Sequence, residues 1–384
     1  MRVTDLRIAL FSGNYNYVRD GANQALNRLV GYLLGQGAAV RVYSPTVDNP
    51  AFAATGDLVS VPSFAIPGRP EYRFPYRIPG DVRADILGFK PNIVQISSPD
   101  FLGQQAVALA RRHDIATLAS IHTRFETYLR YYHLGALAPL LNVYQRNLYR
   151  RCDAIVAPSE SMADVLRAER MNDRIGIWSR GVDQQMFDPA RRDMAWRRDL
   201  GIADDVPVIG FVGRLVMEKG VDVFAEAIAR LEARGVRHAV VVVGDGPARE
   251  KFEELLPKAH FVGFQKGDDL GRAVASLDIF LNPSVTETFG NVTLEAMSCR
   301  VAVVAARATG SASLVVDGVT GRLVEPRAFD AYADALEHFC RDDSARRAAG
   351  RAGEERSAAY SWDAINQKIV DLYLELADQP APGA

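Results

Sequence analysis

The chain has 384 residues, of which 48% are hydrophobic and 24% are charged. This composition excludes an intrinsically disordered protein, and the length predicts two or three domains, each with its own core. The net charge of −2 hides an asymmetry: residues 1–180 carry 21 Lys and Arg against 15 Asp and Glu, and the remainder carries 24 against 32. The basic half indicates either an anionic partner, which we expect not to be a nucleic acid, or a solvated basic face.

The cysteines and the apolar runs bear on the compartment. Cys152, Cys299 and Cys340 are few and unpaired by spacing, which is typical of a reducing environment. No apolar run approaches the ~18 residues of a membrane span, and the first apolar run is too short for a signal peptide. We therefore expect a cytoplasmic protein, peripheral on the inner face of the cell membrane.

Short β-branched strands alternate with amphipathic helices along the whole chain. This alternation predicts βαβ units and parallel sheets buried on both faces. Two successive runs of about six strands predict two doubly wound domains, and a (β/α)8 barrel, which needs eight evenly spaced units, is the alternative. The predicted strands are 7–11, 40–43, 93–96, 117–121, 154–157 and 175–178, then 208–212, 240–243, 261–262, 279–281, 301–305 and 322–324, with helices such as 22–34 and 102–113 between them.

Turn-forming residues between 181 and 207 mark the domain boundary. Asp188-Pro189 and Asp204-Asp205-Val206-Pro207 flank an arginine-rich helix that we predict over 191–200. Two further helices close the chain, and the last has apolar residues at helical spacing. The predicted organisation is a first domain over 1–185, a second over 186–358 and a terminal segment over 359–384.

The segment 286–295 is the most informative motif of the second domain. Glu287 and Glu295 flank Phe289-Gly290, after a predicted buried strand and at the start of a helix. Glycine lets the backbone approach a ligand, and free N–H groups at a helix start suit a phosphate. Two carboxylates beside such a site can accept hydrogen bonds from sugar hydroxyls. The alternative is a capped surface helix with ordinary acids.

Two cations follow the first strand of the second domain. Arg214 and Lys219 stand in the loop after 208–212, where ligands bind in open α/β sheets. Paired cations there can stabilise the charge that develops on a leaving diphosphate, although each alone is also typical of a surface salt bridge. No Asp-x-Asp and no zinc spacing occurs in the sequence, so we expect no metal and no other cofactor.

A histidine and an aromatic stretch mark the first domain. His122 ends the predicted strand 117–121, a position that faces a ligand cleft more often than a core. The stretch 125–151 is rich in Tyr and Arg and has a leucine face, which suits either a helix at an anionic membrane surface or a core helix with a basic solvated side. Residues 74–79 can extend this face.

Together, these motifs resemble glycosyltransferase family 4, over nearly the whole chain. The most specific matches are Gly-Arg-Leu at 213–215, Glu-Lys-Gly at 218–220 and Glu-x7-Glu at 287–295. The segments 178–189 and 122–132 are similar to a narrower group, the sulfoquinovosyl-diacylglycerol synthases and GDP-mannose-dependent α-mannosyltransferases. Two loops depart from the family pattern, around Arg300 and at 308–311, where the family has glycines and a proline.

The resemblance implies a GT-B fold, in which two Rossmann-like domains face a cleft and the last helix crosses back to the first domain. It implies retaining, metal-independent transfer of a hexosyl group from a UDP- or GDP-linked sugar. The catalytic residues that the resemblance implies begin with His122, which would face the reacting sugar. Glu287 would bind the hexose, and Arg214 and Lys219 would bind the diphosphate. The other donor contacts would be Gly21, Thr288, Phe289, Gly290, Asn291 and, on the ribose, Glu295; the acceptor side would include Tyr128, Tyr131 and Tyr132.

The acceptor that we predict is a lipid or a lipid-linked molecule at an anionic membrane surface. A soluble acceptor such as a growing polysaccharide is the second interpretation. A catalytically silent nucleotide-sugar-binding protein is the third, but the presence of Arg214, Lys219, Glu287, Glu295 and His122 argues against it.

Overall fold

The structure, a computed structural model, describes residues 1–18, 20–66, 69–122, 138–308 and 310–378. The chain forms two compact units. The first comprises Met1–Arg180 together with Asp363–Ala384, and the second comprises Gly181–Trp362. No helix among the described residues combines the length and the apolar character that crossing a membrane requires.

The first unit contains a parallel sheet of seven strands in the order β3-β2-β1-β6-β7-β8-β9, and a separate antiparallel hairpin, β4–β5. The order reverses direction between β1 and β6, which makes the carboxyl ends of these two strands the place where a doubly wound sheet binds ligands. The strands are β1 (Arg7–Phe11), β2 (Ala39–Ser44), β3 (Asp57–Ser60), β4 (Ser63–Ile66), β5 (Arg69–Pro75), β6 (Ile93–Ile96), β7 (Ala116–Ser120), β8 (Ala154–Ala157) and β9 (Ile175–Ile177).

Helices connect these strands, and polar side chains start several of them. Asp20, Asp100 and Ser159 each accept a hydrogen bond from a backbone N–H in the first turn of the following helix, which satisfies a donor that has no partner within the helix. The helices are α1 (Gly21–Gly35), α2 (Gly80–Phe89), α3 (Phe101–Arg112), α4 (Ala138–Tyr149) and α5 (Glu160–Ala168).

The second unit contains a parallel sheet of six strands in the order β12-β11-β10-β13-β14-β15. Its direction reverses between β10 and β13, which pair directly. The strands are β10 (Val208–Val212), β11 (Ala239–Val243), β12 (His260–Gly263), β13 (Ile279–Asn282), β14 (Ala302–Ala306) and β15 (Gly321–Val324). The helices are α6 (Met194–Asp199), α7 (Val221–Ala233), α8 (Arg249–Leu255), α9 (Gly267–Ala275), α10 (Asn291–Ser298), α11 (Ser311–Leu314), α12 (Phe329–Arg341) and α13 (Asp343–Ser357).

The last helix, α14 (Trp362–Ala377), packs against the first unit. Ile365, Ile369 and Tyr373 are buried, as their helical spacing predicts. Tyr32 on α1 donates a hydrogen bond to Gln367, with 2.7 Å between the oxygens, and Arg174 forms an ion pair with Glu375 at 2.6 Å. The helix is therefore fixed to the first unit by both apolar and polar contacts.

All twelve predicted strands are present, with ends that shift by one residue at most. The sequence did not predict β3 or the β4–β5 hairpin, because β3 and β4 are short and contain no buried residue, and because these strands lie at an edge of the seven-stranded sheet or outside it. The helix predicted over 191–200 was too long. A 3₁₀ turn occupies Pro189–Arg191, and α6 begins only at Met194, after Asp193 caps it.

Candidate active site

The topology of the second unit brings two predicted motifs together. Because β10 and β13 pair, the loops that leave their carboxyl ends are neighbours. A Cβ on Gly220 would lie 3.0 Å from the Pro283 ring, and the Thr286 hydroxyl donates to the carbonyl oxygen of Glu218 at 3.3 Å. The loop 213–220 and the loop 283–290 therefore pack against each other.

Lys219 and Glu287 form an ion pair at the junction of these two loops. The Lys219 Nζ lies 2.5 Å from Glu287 Oε1, and the side chains are 31% and 20% exposed. The sequence assigned them to different parts of one ligand, and the structure places them in direct contact. An ammonium has three donors and a carboxylate has two oxygens, so each group keeps capacity for a further partner.

Arg214 stands at the same edge of the sheet. Its side chain is exposed, and among the residues that the structure describes it forms no hydrogen bond or ion pair. Its neighbour Leu215 is fully buried and donates its N–H to the carbonyl oxygen of Asp245 at 2.9 Å. The backbone is thus anchored beside a guanidinium that remains available to an anion.

The helix α10 begins at this place with uncapped N–H groups. Gly290 is its N-cap, has a φ of +97°, which favours glycine, and supplies no side chain to the first turn. The preceding residue, Phe289, is buried in the core and holds the loop in position. The amides of Asn291 and the residues after it are available to an anion, and the helix dipole favours negative charge there.

Glu295 lies on the second turn of α10 and is half-buried. Burial, and to a smaller extent the negative charge of Glu287, raise the pKa of Glu295 to about 7. Near neutral pH the Glu295 carboxyl is therefore present in both its protonated and its ionised form. A ligand hydroxyl can accept a hydrogen bond from the protonated form and donate one to the ionised form.

A third loop completes this edge of the sheet. Gly244 follows β11, and a Cβ there would lie 1.9 Å from the carbonyl oxygen of Gly213. Only glycine allows the two backbones to approach so closely. The turn 244–246 therefore supports the loop that carries Arg214 and Lys219.

The two departures from the family pattern have local structural consequences. Arg300 adopts a left-handed φ of +59°, a conformation that favours the glycine the family has near this position. Gly310 has a φ of +23°, and a Cβ there would lie 2.9 Å from the Cβ of Glu287 and 2.8 Å from the carbonyl oxygen of Phe289. Gly310 thus packs against the acid loop, and neither departure removes a predicted site residue.

In the first unit, His122 lies just beyond β7 with both ring nitrogens engaged. Arg180 Nη2 donates to His122 Nδ1 at 2.7 Å, and His122 Nε2 lies 2.9 Å from the hydroxyl oxygen of Ser120. Because a guanidinium cannot accept a hydrogen bond, Nδ1 is the acceptor and the proton of the neutral ring is on Nε2. Burial and then the Arg180 charge lower the pKa of His122 well below its usual value, and burial lowers the pKa of Arg180 to about 10.

A buried hydrogen-bond chain continues from Ser120 to the last helix. Gln95 Nε2 donates to the Ser120 hydroxyl at 3.2 Å, and the Tyr373 hydroxyl on α14 donates to Gln95 Oε1. All three side chains are buried. The hydrogen bond between Gln95 and Tyr373 could not be predicted from the sequence, since a glutamine within an apolar strand and a tyrosine on an apolar helix face do not indicate a partner so far away in the chain.

The loop after β1 meets the start of α3 where the first sheet reverses. Gly13 donates its N–H to Ser98 Oγ at 3.0 Å, and Ser98 Oγ donates to Asp100 Oδ2 at 2.7 Å. Burial raises the pKa of Asp100 to about 6. Gly21, a predicted donor contact, is the first residue of α1 and follows the cap Asp20.

Tyr128, Tyr131 and Tyr132, the predicted acceptor-side residues, lie outside the described residues. The described part of the basic stretch is α4, on which Leu140 and Val143 are exposed while Leu148 and Tyr149 are buried. The helix thus has a core face and an exposed face with apolar residues.

Two family models match the chain. Residues 19–185 match the family model described as Glycosyltransferase Family 4, and residues 206–342 match Glycosyl transferases group 1. The GDP-mannose-dependent alpha-mannosyltransferase of Mycolicibacterium smegmatis is 31% identical over 96% of this chain and 97% of that protein. The chain belongs to glycosyltransferase family 4. It is an enzyme that transfers a glycosyl group from a nucleotide sugar.

Two further similarities agree with this membership. Sulfoquinovosyl transferase SQD2 of Arabidopsis thaliana is 31% identical over 94% of this chain and 72% of that protein. The structure of sucrose-phosphate synthase from Thermosynechococcus elongatus superposes with a TM-score of 0.78 over 97% of this chain and 99% of that one, at 20% identity. That similarity, with two parallel-sheet units, shows the predicted GT-B fold.

Proposed function

We propose that this glycosyltransferase transfers a hexosyl group from a UDP- or GDP-linked sugar to a lipid or lipid-linked acceptor, with retention of configuration and without a metal. The proposed nucleotide-sugar donor is supported by the Lys219–Glu287 ion pair, which lies beside the uncapped start of α10. The exposed Arg214 stands at the same edge of the sheet. The names of the relatives, which use GDP-mannose or transfer sulfoquinovose, support the same class of donor.

The donor diphosphate would bind to Arg214, to Lys219 and to the first amides of α10. Two cations and a helix start can stabilise the charge that grows on the leaving diphosphate, which is the role that a metal has elsewhere. Among the described residues, no cluster of three His, Cys, Asp or Glu side chains is arranged to hold a metal ion. Lys219 can contact a phosphate oxygen while it remains paired with Glu287.

The two acids would hold the sugars of the donor. Glu287 would accept hydrogen bonds from hexose hydroxyls, and Glu295 would bind the ribose. The retaining chemistry that we propose lets the leaving diphosphate take the proton of the acceptor hydroxyl on the face where the new bond forms. The protein then supplies orientation and charge and needs no covalent nucleophile.

His122 would contact the reacting sugar as a neutral imidazole. The Arg180 and Ser120 bonds occupy both ring nitrogens and define one tautomer. A ring held in this way orients a ligand and does not exchange protons, so we propose that His122 is not a general base.

A cluster of exposed aromatic rings on the first unit supports a membrane surface as the place of reaction. Phe64 and Tyr76 belong to the hairpin region, and Phe101 begins α3; these three side chains are 50%, 42% and 51% exposed. Phe74 joins them, with its ring centroid 5.5 Å from that of Phe64 and 5.4 Å from that of Phe101. Arg77 lies over the Tyr76 ring at 5.8 Å.

Exposed aromatic rings beside arginine suit the interface of an anionic bilayer, where the rings enter the headgroup region and the cations meet lipid phosphates. The exposed Leu140 and Val143 on α4 can add apolar surface. We therefore propose a peripheral association with the cytoplasmic face of the cell membrane, which brings the first unit to a lipid acceptor.

The test is a transfer assay with purified enzyme, nucleotide sugars and lipid extracts. Nucleotide sugars are first ranked by thermal stabilisation, because a ligand at 100 times its Kd adds about 2.7 kcal/mol to the free energy of unfolding. We expect transfer in the presence of EDTA and a product whose anomeric configuration, measured by NMR, equals that of the donor. Activity that disappears in EDTA and returns with Mg²⁺ or Mn²⁺ would refute metal independence, and transfer only to soluble saccharides would favour the polysaccharide acceptor.

A further inference from the structure

A cavity lies in the second unit, at the end of the sheet opposite the loops proposed to bind the donor. Its volume is about 770 Å³, and its walls include Pro207, Arg237, Asp278 and Arg300. These residues precede β10, β11, β13 and β14, whereas the donor loops follow the carboxyl ends of β10 and β13. A strand of five residues spans about 16 Å, so the cavity and the donor loops are separated by the length of the sheet.

Arginine dominates the charge of this cavity. Seven arginines and four aspartates line it, and none of the lining residues is a lysine, a histidine or a glutamate. Arg300 and Arg341 pair with Glu354 and Glu337, which lie outside the lining, so the excess is one positive charge. The arginines come from separate parts of the chain. Arg192 precedes α6, Arg237 precedes β11, Arg300 precedes β14, and Arg347 and Arg351 lie on α13.

Part of this charge is compensated within the protein. Arg192 forms an ion pair with Asp278 at 2.6 Å and donates to the Leu277 carbonyl oxygen at 2.8 Å, and Arg237 pairs with Asp205. These bonds fix the two guanidiniums in the cavity wall. Because a guanidinium has five N–H donors, a carboxylate partner leaves several of them for a ligand.

Arg347 and Arg351 on α13 are less compensated, because Asp343 is shared between Arg346 and Arg347. Arg347 bonds to Asp343 through Nε at 2.7 Å, and Arg351 has no hydrogen bond or ion pair in the described part of the chain. The two are four residues apart, so they are neighbours on the helix surface, where like charges repel. An anion bound between them would remove this repulsion.

We propose that this cavity binds a small phosphorylated ligand with two or more negative charges, such as a diphosphate. Guanidinium groups match phosphate oxygens in paired hydrogen bonds, and the volume is that of a small-molecule site. The four aspartates disfavour an extended anionic chain, which would have to pass them, and favour a compact ligand that contacts only guanidiniums.

The binding test uses a protein in which diphosphate binding at the proposed donor site is disrupted. The parent is the Arg214→Ala/Lys219→Ala protein, and inorganic diphosphate is titrated into it by calorimetry in buffer without divalent ions. We expect one binding site that weakens as salt is raised, since the contacts are ionic. Arg347→Ala/Arg351→Ala in this parent should weaken binding at least ~10-fold, because charge-assisted hydrogen bonds are lost. Arg237→Ala, from another wall, should weaken it as well.

The matched control is Arg327→Ala/Lys258→Ala, which removes two equally exposed cations whose ion pairs with Asp222 and Glu232 lie outside the cavity. This control should bind diphosphate as the parent does. A nucleoside diphosphate, titrated in parallel, distinguishes a free diphosphate from the nucleotide product as the source of the ligand. The proposal fails if the parent shows no diphosphate binding up to a ligand concentration of ~5 mM, because a site with a Kd in the micromolar range would be saturated well below that concentration. It also fails if both cavity variants bind like the control, or if phosphatidylglycerol vesicles displace the diphosphate, since that would identify an anionic surface.

Discussion

Arg180 Nη2 donates a hydrogen bond to His122 Nδ1 at 2.7 Å, and this single contact determines the chemical state of the histidine. The Arg180 side chain lies over the Trp178 ring at 5.4 Å, and the His122 ring meets the same indole edge-on at 5.5 Å. A buried cation that donates to an imidazole makes protonation of that imidazole costly. His122 is therefore a neutral group throughout the physiological pH range.

The Arg180→Met variant tests this relationship. Loss of the guanidinium removes a repulsive charge and the donor to Nδ1, so we expect the pKa of His122 to rise and its tautomer to become mixed. NMR of the imidazole across pH 5–8 measures both. Arg174→Met, which removes a surface ion pair with Glu375 in the same unit, is the control. An unchanged His122 titration in Arg180→Met would contradict the assignment.

The second prediction concerns the buried link to the last helix. Tyr373→Phe leaves Gln95 Oε1 without its tyrosine donor, and a buried acceptor that loses its partner costs about 1–3 kcal/mol. Urea denaturation measures the loss in the free energy of unfolding. Tyr32→Phe removes a similar hydrogen bond to the same helix at a half-buried site, so its cost should be smaller. Equal losses in both variants would show that the buried chain has no special contribution.

The third prediction concerns the cations of the donor loop. Arg214→Ala or Lys219→Met should lower kcat by about 10²-fold, the usual scale for the loss of one preorganised charge contact. Arg327→Ala, which removes an exposed ion pair elsewhere in the second unit, should keep full activity. Near-normal rates in both site variants, with the fold intact by circular dichroism, would exclude a diphosphate role for these cations.

The fourth prediction follows from the raised pKa of Glu295, which is about 7 in the folded protein. An unfolded glutamate titrates near ~4.3, so the unfolded chain releases this proton first and the folded protein loses stability as pH rises from about 4.3 to about 7. The Glu295→Gln variant does not lose stability in this way, because a glutamine side chain does not ionise. We expect equal stability of the variant and the wild type at pH 4, and a gain on the order of 2 kcal/mol for the variant at pH 8.

Chemical denaturation at the two pH values measures this gain, and Glu250→Gln, a change at an exposed glutamate of α8, should show none at either pH. Donor affinity of Glu295→Gln should fall although its stability rises, because an amide cannot replace an ionised acceptor. A gain of the same size at pH 4 and pH 8 would show that the effect is not due to ionisation.

The fifth prediction concerns membrane association. Wild-type protein should sediment with vesicles that contain anionic lipid and dissociate at high salt, because each cation near an anionic surface contributes about 1 kcal/mol. Phe64→Ser/Tyr76→Ser/Phe101→Ser should abolish this binding. The matched control is Leu255→Ser/Phe264→Ser/Val319→Ser, which replaces exposed apolar side chains of the second unit and should bind normally.

Charge reversal of Arg146, Arg150 and Arg151 on and after α4 should weaken vesicle binding as well. Arg150 is the informative member of this set because its side chain is exposed, whereas the Nε of Arg146 is buried and that change also perturbs packing. If the wild type ignores anionic vesicles at low salt, membrane association is wrong and the soluble acceptor becomes the better interpretation.

The outline of both sheets could be read from short-range patterns. A strand buried on both faces, such as 208–212, is a continuous apolar run that needs no knowledge of its neighbours. Edge strands such as Asp57–Ser60 carry a mixed pattern, and only their pairing with β2 identifies them. The over-long helix at 191–200 has the same cause, because the arginines favour a helix locally while Asp193 caps it later.

By itself, the sequence determined the class of fold and the family, because apolar runs and glycines, acids and cations at fixed spacing act through the local backbone. The donor-binding role of Arg214, Lys219, Glu287 and Glu295 stays a prediction. Only the tertiary structure decided the protonation state of His122, since its partner Arg180 lies 58 residues away in the chain. It also decided the buried hydrogen bond between Tyr373 and Gln95, which are 278 residues apart. It also decided that Lys219 and Glu287 pair with each other and that arginines from distant segments share one cavity. Hydrogen bonds and charge repulsion depend on distance in space, and distance in space is set by the packing of whole sheets and helices.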